Sequence, residues 1–216
     1  MSTRLGFFQS LFLILLLPAL LAFTVVLYPA RTLPQTSRTT RTFPSDCRWT
    51  STPCLIVGPS VDEGFAALAA DTWSRFLVVF APLAPCLPDV HLQASYTLPA
   101  RAGYDPVTAT VTVRVPGSAA RLRAALIHEW AHHLEFQCPQ ALDPLRPAFL
   151  AAEDFPPHAV WRPADADTVA DHWADLPSEH FAEAAIELVL GHNATPTQIR
   201  VRSETLAAMR AWIGGR

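Results

Sequence analysis

Residues 126–134 read Leu-Ile-His-Glu-Trp-Ala-His-His-Leu, a stretch in which polar groups sit among apolar ones at helical spacing. Ala125, Leu126 and Ile127 lead into it, and Trp130, Ala131 and Leu134 continue it, all uncharged. A solvent-facing helix would carry more charge, so this one is expected inside the fold. Within it, His128-Glu129-Trp130-Ala131-His132 is an H-E-x-x-H motif. On a helix the two histidines stand about 40° apart and one turn along the axis, so both imidazoles can reach one metal ion. Glu129 lies about 100° round from His128, beside the metal, where it can take a proton from a metal-bound water. A catalytic zinc ion needs one further protein ligand and an open position.

The close variant H-E-x-x-H-x-x-G-x-x-H is excluded, because position 135 is Glu and position 138 is Cys. Farther on, Ser178-Glu179-His180-Phe181-Ala182-Glu183-Ala184-Ala185 opens a second helix with two carboxylates at i and i+4 among apolar residues. Such carboxylates need a partner, and a metal site supplies one. From spacing alone either Glu179 or Glu183 could be the third ligand. Glu179, in the first turn, could instead serve the helix N-terminus, where a carboxylate is favoured.

The motif helix followed by a glutamate on a later helix resembles the gluzincin branch of zinc metalloproteases. Glu179-His180-Phe181-Ala182-Glu183-Ala184 is similar to the E-x-F-A-E-A segment of the family formed by the peptidase domain of anthrax lethal factor and its bacterial relatives. The resemblance implies zinc held by His128, His132 and Glu179, with Glu183 behind an imidazole and Glu129 as general base. It also implies a small zincin-like domain that hydrolyses peptide or protein substrates. Glu179 follows His132 by 47 positions, similar to that family's separation, and the likeness runs from about Tyr104 to Leu190. In the family a Tyr stands seven residues before the ligand glutamate and stabilises the oxyanion. Here that position is His172, which could donate the same hydrogen bond. His180 and Tyr104 are competing candidates, each with a plain structural reading. The alternative in another class is a non-catalytic zincin-like extracytoplasmic binding module. The intact Glu129 argues against it.

The N-terminal end has its own signal. Leu5–Tyr28 is uncharged, and its 24 residues are long enough to span a bilayer. Arg4 precedes it, and Leu20-Leu21-Ala22 is a poor cleavage site because Leu is large for its position. Residues 1–29 are therefore expected to be an uncleaved signal anchor rather than a cleaved signal peptide. Residues 30–46, rich in Thr, Ser, Arg and Pro, read as a flexible stalk, and 47–216 as the folded domain. Cys47, Cys54, Cys86 and Cys138 all follow the apolar run, and none forms C-x-x-C. Two disulfides in an oxidising compartment are expected, Cys47 with Cys54 and Cys86 with Cys138. The domain is thus placed extracytoplasmic and membrane-anchored, or secreted if the segment is cleaved. A net charge of −3 and a pI near 6.2 give no reason to expect nucleic acid.

The remaining pattern predicts an α+β fold of three or four helices beside a small sheet. Leu55-Ile56-Val57 reads as an edge strand, and Ser60 and Glu63 as a capping box. Phe65, Leu68, Ala69, Trp73, Phe76 and Phe80 follow helical spacing. His91–Tyr96 and the alternating Val107–Val115 read as strands, the second with a peptide-binding edge at Val111 to Val115. Helices are expected over 118–136 and from Pro177 to Gly191, with a loop-rich stretch over 137–176 between them. A last helix is expected to start at a second capping box, Thr195 to Gln198. His133 is not expected to be a ligand, and Trp161, Trp173 and Trp212 read as core or cleft wall.

Overall fold

The computed structural model describes residues 52–163, 172–195 and 197–215. The apolar run, the stalk and Cys47 lie outside the described residues. The fold is α+β, as the periodicities predict. Strand β1 (Leu55–Val57) pairs in parallel with β2 (Val90–Ser95), and β2 in parallel with β4 (Thr110–Arg114). Strand β3 (Ala102–Asp105) runs antiparallel to β4 as a hairpin, giving the order β1-β2-β4-β3. Val90, Leu92, Val111 and Val113 are buried and turn the sheet's apolar face to the core.

The hairpin corrects the expectation of a strand from Val107. Asp105 accepts hydrogen bonds from the Val107 amide (2.9 Å) and the Thr108 hydroxyl (2.7 Å), so the chain reverses there. Val107 is 92% exposed at the turn, and Ala109 takes a left-handed φ of 50° before β4 begins. The sheet edge moves in consequence. β4 is paired on both sides, and β3 is the edge strand beside it, so the stretch Val111–Val115 offers no free edge to a peptide.

Helix α1 (Glu63–Val79) starts two residues later than the capping box implies. Asp62 is its N-cap, accepting from the Phe65 amide at 2.9 Å. The Ser60 hydroxyl instead accepts from the Ala94 amide (3.0 Å), tying the loop to β2. The apolar face behaves as its spacing predicts. Trp73, Phe76 and Phe80 are buried, and Trp73 meets Trp130 edge-on with centroids 4.9 Å apart. Trp130 belongs to helix α2 (Ala119–Gln137), capped by Ser118. From Ala124 to Glu135 every residue of α2 is buried, because α1, β3, β4 and helix α5 (Pro177–Leu190) surround it.

The stretch expected to be loop-rich contains two short helices, α3 (Pro139–Leu142) and α4 (Arg146–Ala152). Leu142, Leu145, Phe149 and Leu150 bury a helical stripe there, which the prolines and aspartates mask in the sequence. Helix α5 starts with Pro177 and ends at Gly191, whose φ of 77° suits a residue without a Cβ. Helix α6 (Ser203–Gly214) begins later than the second capping box suggests. Asn193 accepts from the Thr195 amide (2.9 Å), and Thr197 donates to the Ile199 carbonyl (3.0 Å). These local bonds hold the segment outside a helix.

Two devices fasten this half to the rest. Cys86 and Cys138 form the expected disulfide, joining the segment after α1 to the C-cap of α2. Cys54 is also disulfide-bonded, and its expected partner, Cys47, lies outside the described residues. At the end of α4, Glu153 receives hydrogen bonds from His180 on α5 (2.8 Å) and from Thr205 on α6. Among the described residues no helix is long and apolar enough to cross a membrane.

The aromatic contact between α1 and α2 sets the position of the motif helix. Phe76→Ala is expected to lower unfolding free energy by about 3–5 kcal/mol in denaturant titrations, since a wholly buried ring leaves a cavity behind. A loss under about 1 kcal/mol would mean that α1 does not support α2.

Candidate metal centre

The site forms where α2 lies against α5. His128 and His132 project from successive turns of α2, and Glu179 faces them from the first turn of α5. Their donor atoms all lie within 4.8 Å of one another, and this group could hold a metal ion. His128 Nε2 is 3.1 Å from Glu179 Oε2 and 3.2 Å from His132 Nε2. All three residues are buried, at 6%, 6% and 9% exposure.

Behind each imidazole stands a carboxylate. Glu183 Oε1 lies 3.0 Å from His128 Nδ1, and Glu135 Oε2 lies 3.1 Å from His132 Nδ1. A carboxylate only accepts, so each Nδ1–H can donate to the carboxylate behind it; each Nε2 faces Glu179 and, with a metal bound, would present its lone pair to the centre. Glu183 is held in turn by Arg101 (3.0 Å) and by the Asn193 amide (2.7 Å). Arg162 lies against both Glu135 (3.2 Å) and Glu179 (3.3 Å).

Charge explains why so many partners are needed. Glu129, Glu135, Glu179 and Glu183 are all buried, while Arg101 and Arg162 are the guanidiniums in contact with them. Four carboxylates against two guanidiniums leave two negative charges. One divalent ion, or two imidazolium protons, balances them. Burial by itself would make both histidines less basic, but the facing carboxylates outweigh it. Glu179 and Glu183 raise His128, and Glu135 and Glu179 raise His132 to about 9. Burial likewise pushes Glu179 upward, yet the two imidazoles bring it well below the ordinary carboxylate range. The donor set, two imidazoles and one carboxylate, suits zinc among other ions.

Glu129 lines two cavities that meet at His128 and Glu179. One, of about 580 Å³, is walled by β3 residues Gly103 and Tyr104 together with Phe136 and Arg162. The other, of about 700 Å³, is walled by Ala100, Arg101, Trp173 and Thr197. Ala102 on the β3 edge borders both.

Of the other sequence candidates, His172 and His180 line neither cavity, and Tyr104 lines the first. His172 precedes the 3₁₀ turn Trp173–Asp175, with its side chain 67% exposed and 3.5 Å from Asp175, and it lines neither cavity. His180 is turned away, donating to Glu153 (2.8 Å) and to the Ala174 carbonyl (2.7 Å). Both of those partners are acceptors, so the ring is an imidazolium. Burial opposes that charge, and the Glu153 carboxylate overcomes it, raising the pKa. His133 donates from Nε2 to the Pro88 carbonyl (3.1 Å) and accepts at Nδ1 from the Tyr104 hydroxyl (2.8 Å). Burial lowers its pKa to about 4, so it is a neutral strut. The Tyr104 hydroxyl also accepts from Gln137 (3.1 Å), which supports the structural reading of that residue.

Arg101, Glu135, Arg162 and Asn193 belong to the site and carry no metal-site motif. Only Glu135 has a local signal, at i+3 from His132 on the same helix. No family model matches the chain, and no curated protein or solved structure matches it either.

Exchanging the two α5 glutamates separately for Gln tests their assignment. Chelator competition should show the greater loss of zinc affinity for Glu179→Gln, with Glu183→Gln costing about 10–100-fold through the imidazole it holds. The reverse order would make Glu183 the ligand.

Proposed function

We propose that this chain is a zinc-dependent peptidase of the gluzincin type, acting on peptide or protein substrates outside the cytoplasm. The observation that carries the reading is the group His128, His132 and Glu179 converging on one point, with Glu129 beside it between two open cavities. A structural zinc site is closed by four protein ligands, whereas three ligands beside a cavity and a carboxylate suit catalysis.

Zinc, when bound, supplies a Lewis acid for the scissile carbonyl and lowers the pKa of a water to about 7. Glu129 accepts the proton of the attacking water and delivers it to the leaving amine. Glu183 and Glu135 keep each Nδ1–H directed outward, so that the Nε2 lone pairs stay available. The free edge of β3 offers main-chain donors and acceptors to an extended peptide, and the cavities on either side of Glu129 accommodate its flanking side chains. His172 has no part in this reading.

The location rests on two supports. The Cys86–Cys138 disulfide fits an oxidising compartment. The apolar segment Leu5–Tyr28 supplies an export signal and, uncleaved, an anchor.

Glu129→Gln separates catalysis from binding. The variant is expected to retain zinc and thermal stability while peptide hydrolysis falls by about 10²–10⁴-fold, the usual contribution of a general base. Zinc-loaded wild type that cleaves nothing in a broad peptide library would favour the non-catalytic binding module instead.

A further inference from the structure

We propose that Arg162 is the positioning residue of the centre, holding two of the three metal-donor residues with one guanidinium. The inference rests on the metal reading of His128, His132 and Glu179. Arg162 Nε lies 3.2 Å from Glu135 Oε1, and Nη2 lies 3.3 Å from Glu135 Oε2, a two-pronged contact matched to the carboxylate plane. The same Nη2 is 3.3 Å from Glu179 Oε1. Glu135 holds His132 at Nδ1, so one planar group fixes a donor carboxylate directly and a donor imidazole through one intermediary.

The contact also fixes the carboxylate plane of Glu179. Oε1 accepts from the guanidinium and stands 3.4 Å from His132 Nε2, while Oε2 stands 3.1 Å from His128 Nε2. Arg162 Nη2 approaches His132 Nδ1 as well, at 2.8 Å. A metal on Nε2 requires the proton on Nδ1, and only Glu135 can accept it. In the loaded centre the partners of Arg162 are therefore the two carboxylates. His128 is served differently, because Arg101 touches Glu183 and no donor residue. Arg162 alone among these arginines reaches a ligand.

A residue that positions others must itself be held, and Arg162 is. Its neighbour Trp161 is buried against Phe149 and Phe181, at centroid distances of 5.2 and 5.8 Å. The Trp161 carbonyl accepts from the Ser178 amide (3.2 Å), next to Glu179. The guanidinium lies over the Phe136 ring at 5.4 Å. The backbone that carries Arg162 is thus pinned to the start of α5, and its head group to the end of α2.

The test uses the full chain, stripped of metal and titrated with zinc alone, then with cobalt(II) as a spectroscopic reporter. Arg162→Met is expected to weaken zinc binding about 10–100-fold. It is also expected to shift the visible cobalt bands, because the Glu179 carboxylate and the His132 ring lose the group that fixes their orientation. Arg162→Lys should recover part of the affinity, since an ammonium replaces the charge but not the fork. If Arg162→Met does not fold, Glu135→Gln replaces it, removing the carboxylate that the fork grips while leaving an acceptor for His132. Its expected result is the same direction of loss. Wild-type zinc affinity and an unchanged cobalt spectrum in a folded Arg162→Met, or in Glu135→Gln where that variant stands in, would overturn the proposal. Wild type that takes up neither zinc nor cobalt would overturn the metal reading on which it rests.

Discussion

The burial of four carboxylates around two imidazoles is the constraint on which the rest of the structure depends. An uncompensated charge inside a protein costs several kcal/mol. Glu129, Glu135, Glu179 and Glu183, at 9% exposure or less, can stay there only with partners. For Glu135, Glu179 and Glu183 the chain provides them from distant points. Arg101 comes from the approach to β3, Arg162 from the segment after α4, and Asn193 from beyond α5. These contacts draw together α2, α5 and the sheet edge, and they leave two negative charges for one divalent cation or two imidazolium protons to balance.

The scaffold explains why the donors can stay in register. α2 is surrounded, with Trp130 locked against Trp73 and Phe76 of α1. Its C-terminal end is tied by the Cys86–Cys138 disulfide and its opposite face by α5. Catalytic geometry demands side chains with little freedom, and each donor here has a partner fixing it from behind. Glu129, the carboxylate proposed as base, lines both cavities together with His128 and Glu179.

Much of this was legible in the sequence wherever local periodicity was strong. The helices carrying His128, His132 and Glu179, the strand near Val90 and the apolar face of α1 follow from spacing. The Cys86–Cys138 pair also emerged as expected. The failures have physical causes. The turn held by Asp105 takes Val107–Ala109 out of the apparent Val107–Val115 alternation, and β3 lies ahead of that turn, so β3 was missed and the peptide edge misplaced. Ser60 and Thr195 satisfied a capping pattern, yet Asp62 caps α1 and Asn193 holds Thr195 in a turn. Arg162 was invisible because nothing local marks a residue that acts on Glu135 and Glu179 from 27 and 17 positions away. His172 stood at the resemblance's oxyanion position, but the turn that contains it directs its side chain to solvent, beside Asp175.

The most direct test of the account is the anomalous diffraction of crystals of the zinc-loaded chain, recorded on both sides of the zinc absorption edge. The account predicts one zinc peak per chain, about 2.0–2.2 Å from His128 Nε2, His132 Nε2 and a Glu179 oxygen, with Glu129 outside the ligand set. Zinc bound elsewhere with these three residues unliganded, or Glu129 found as a ligand, would contradict it.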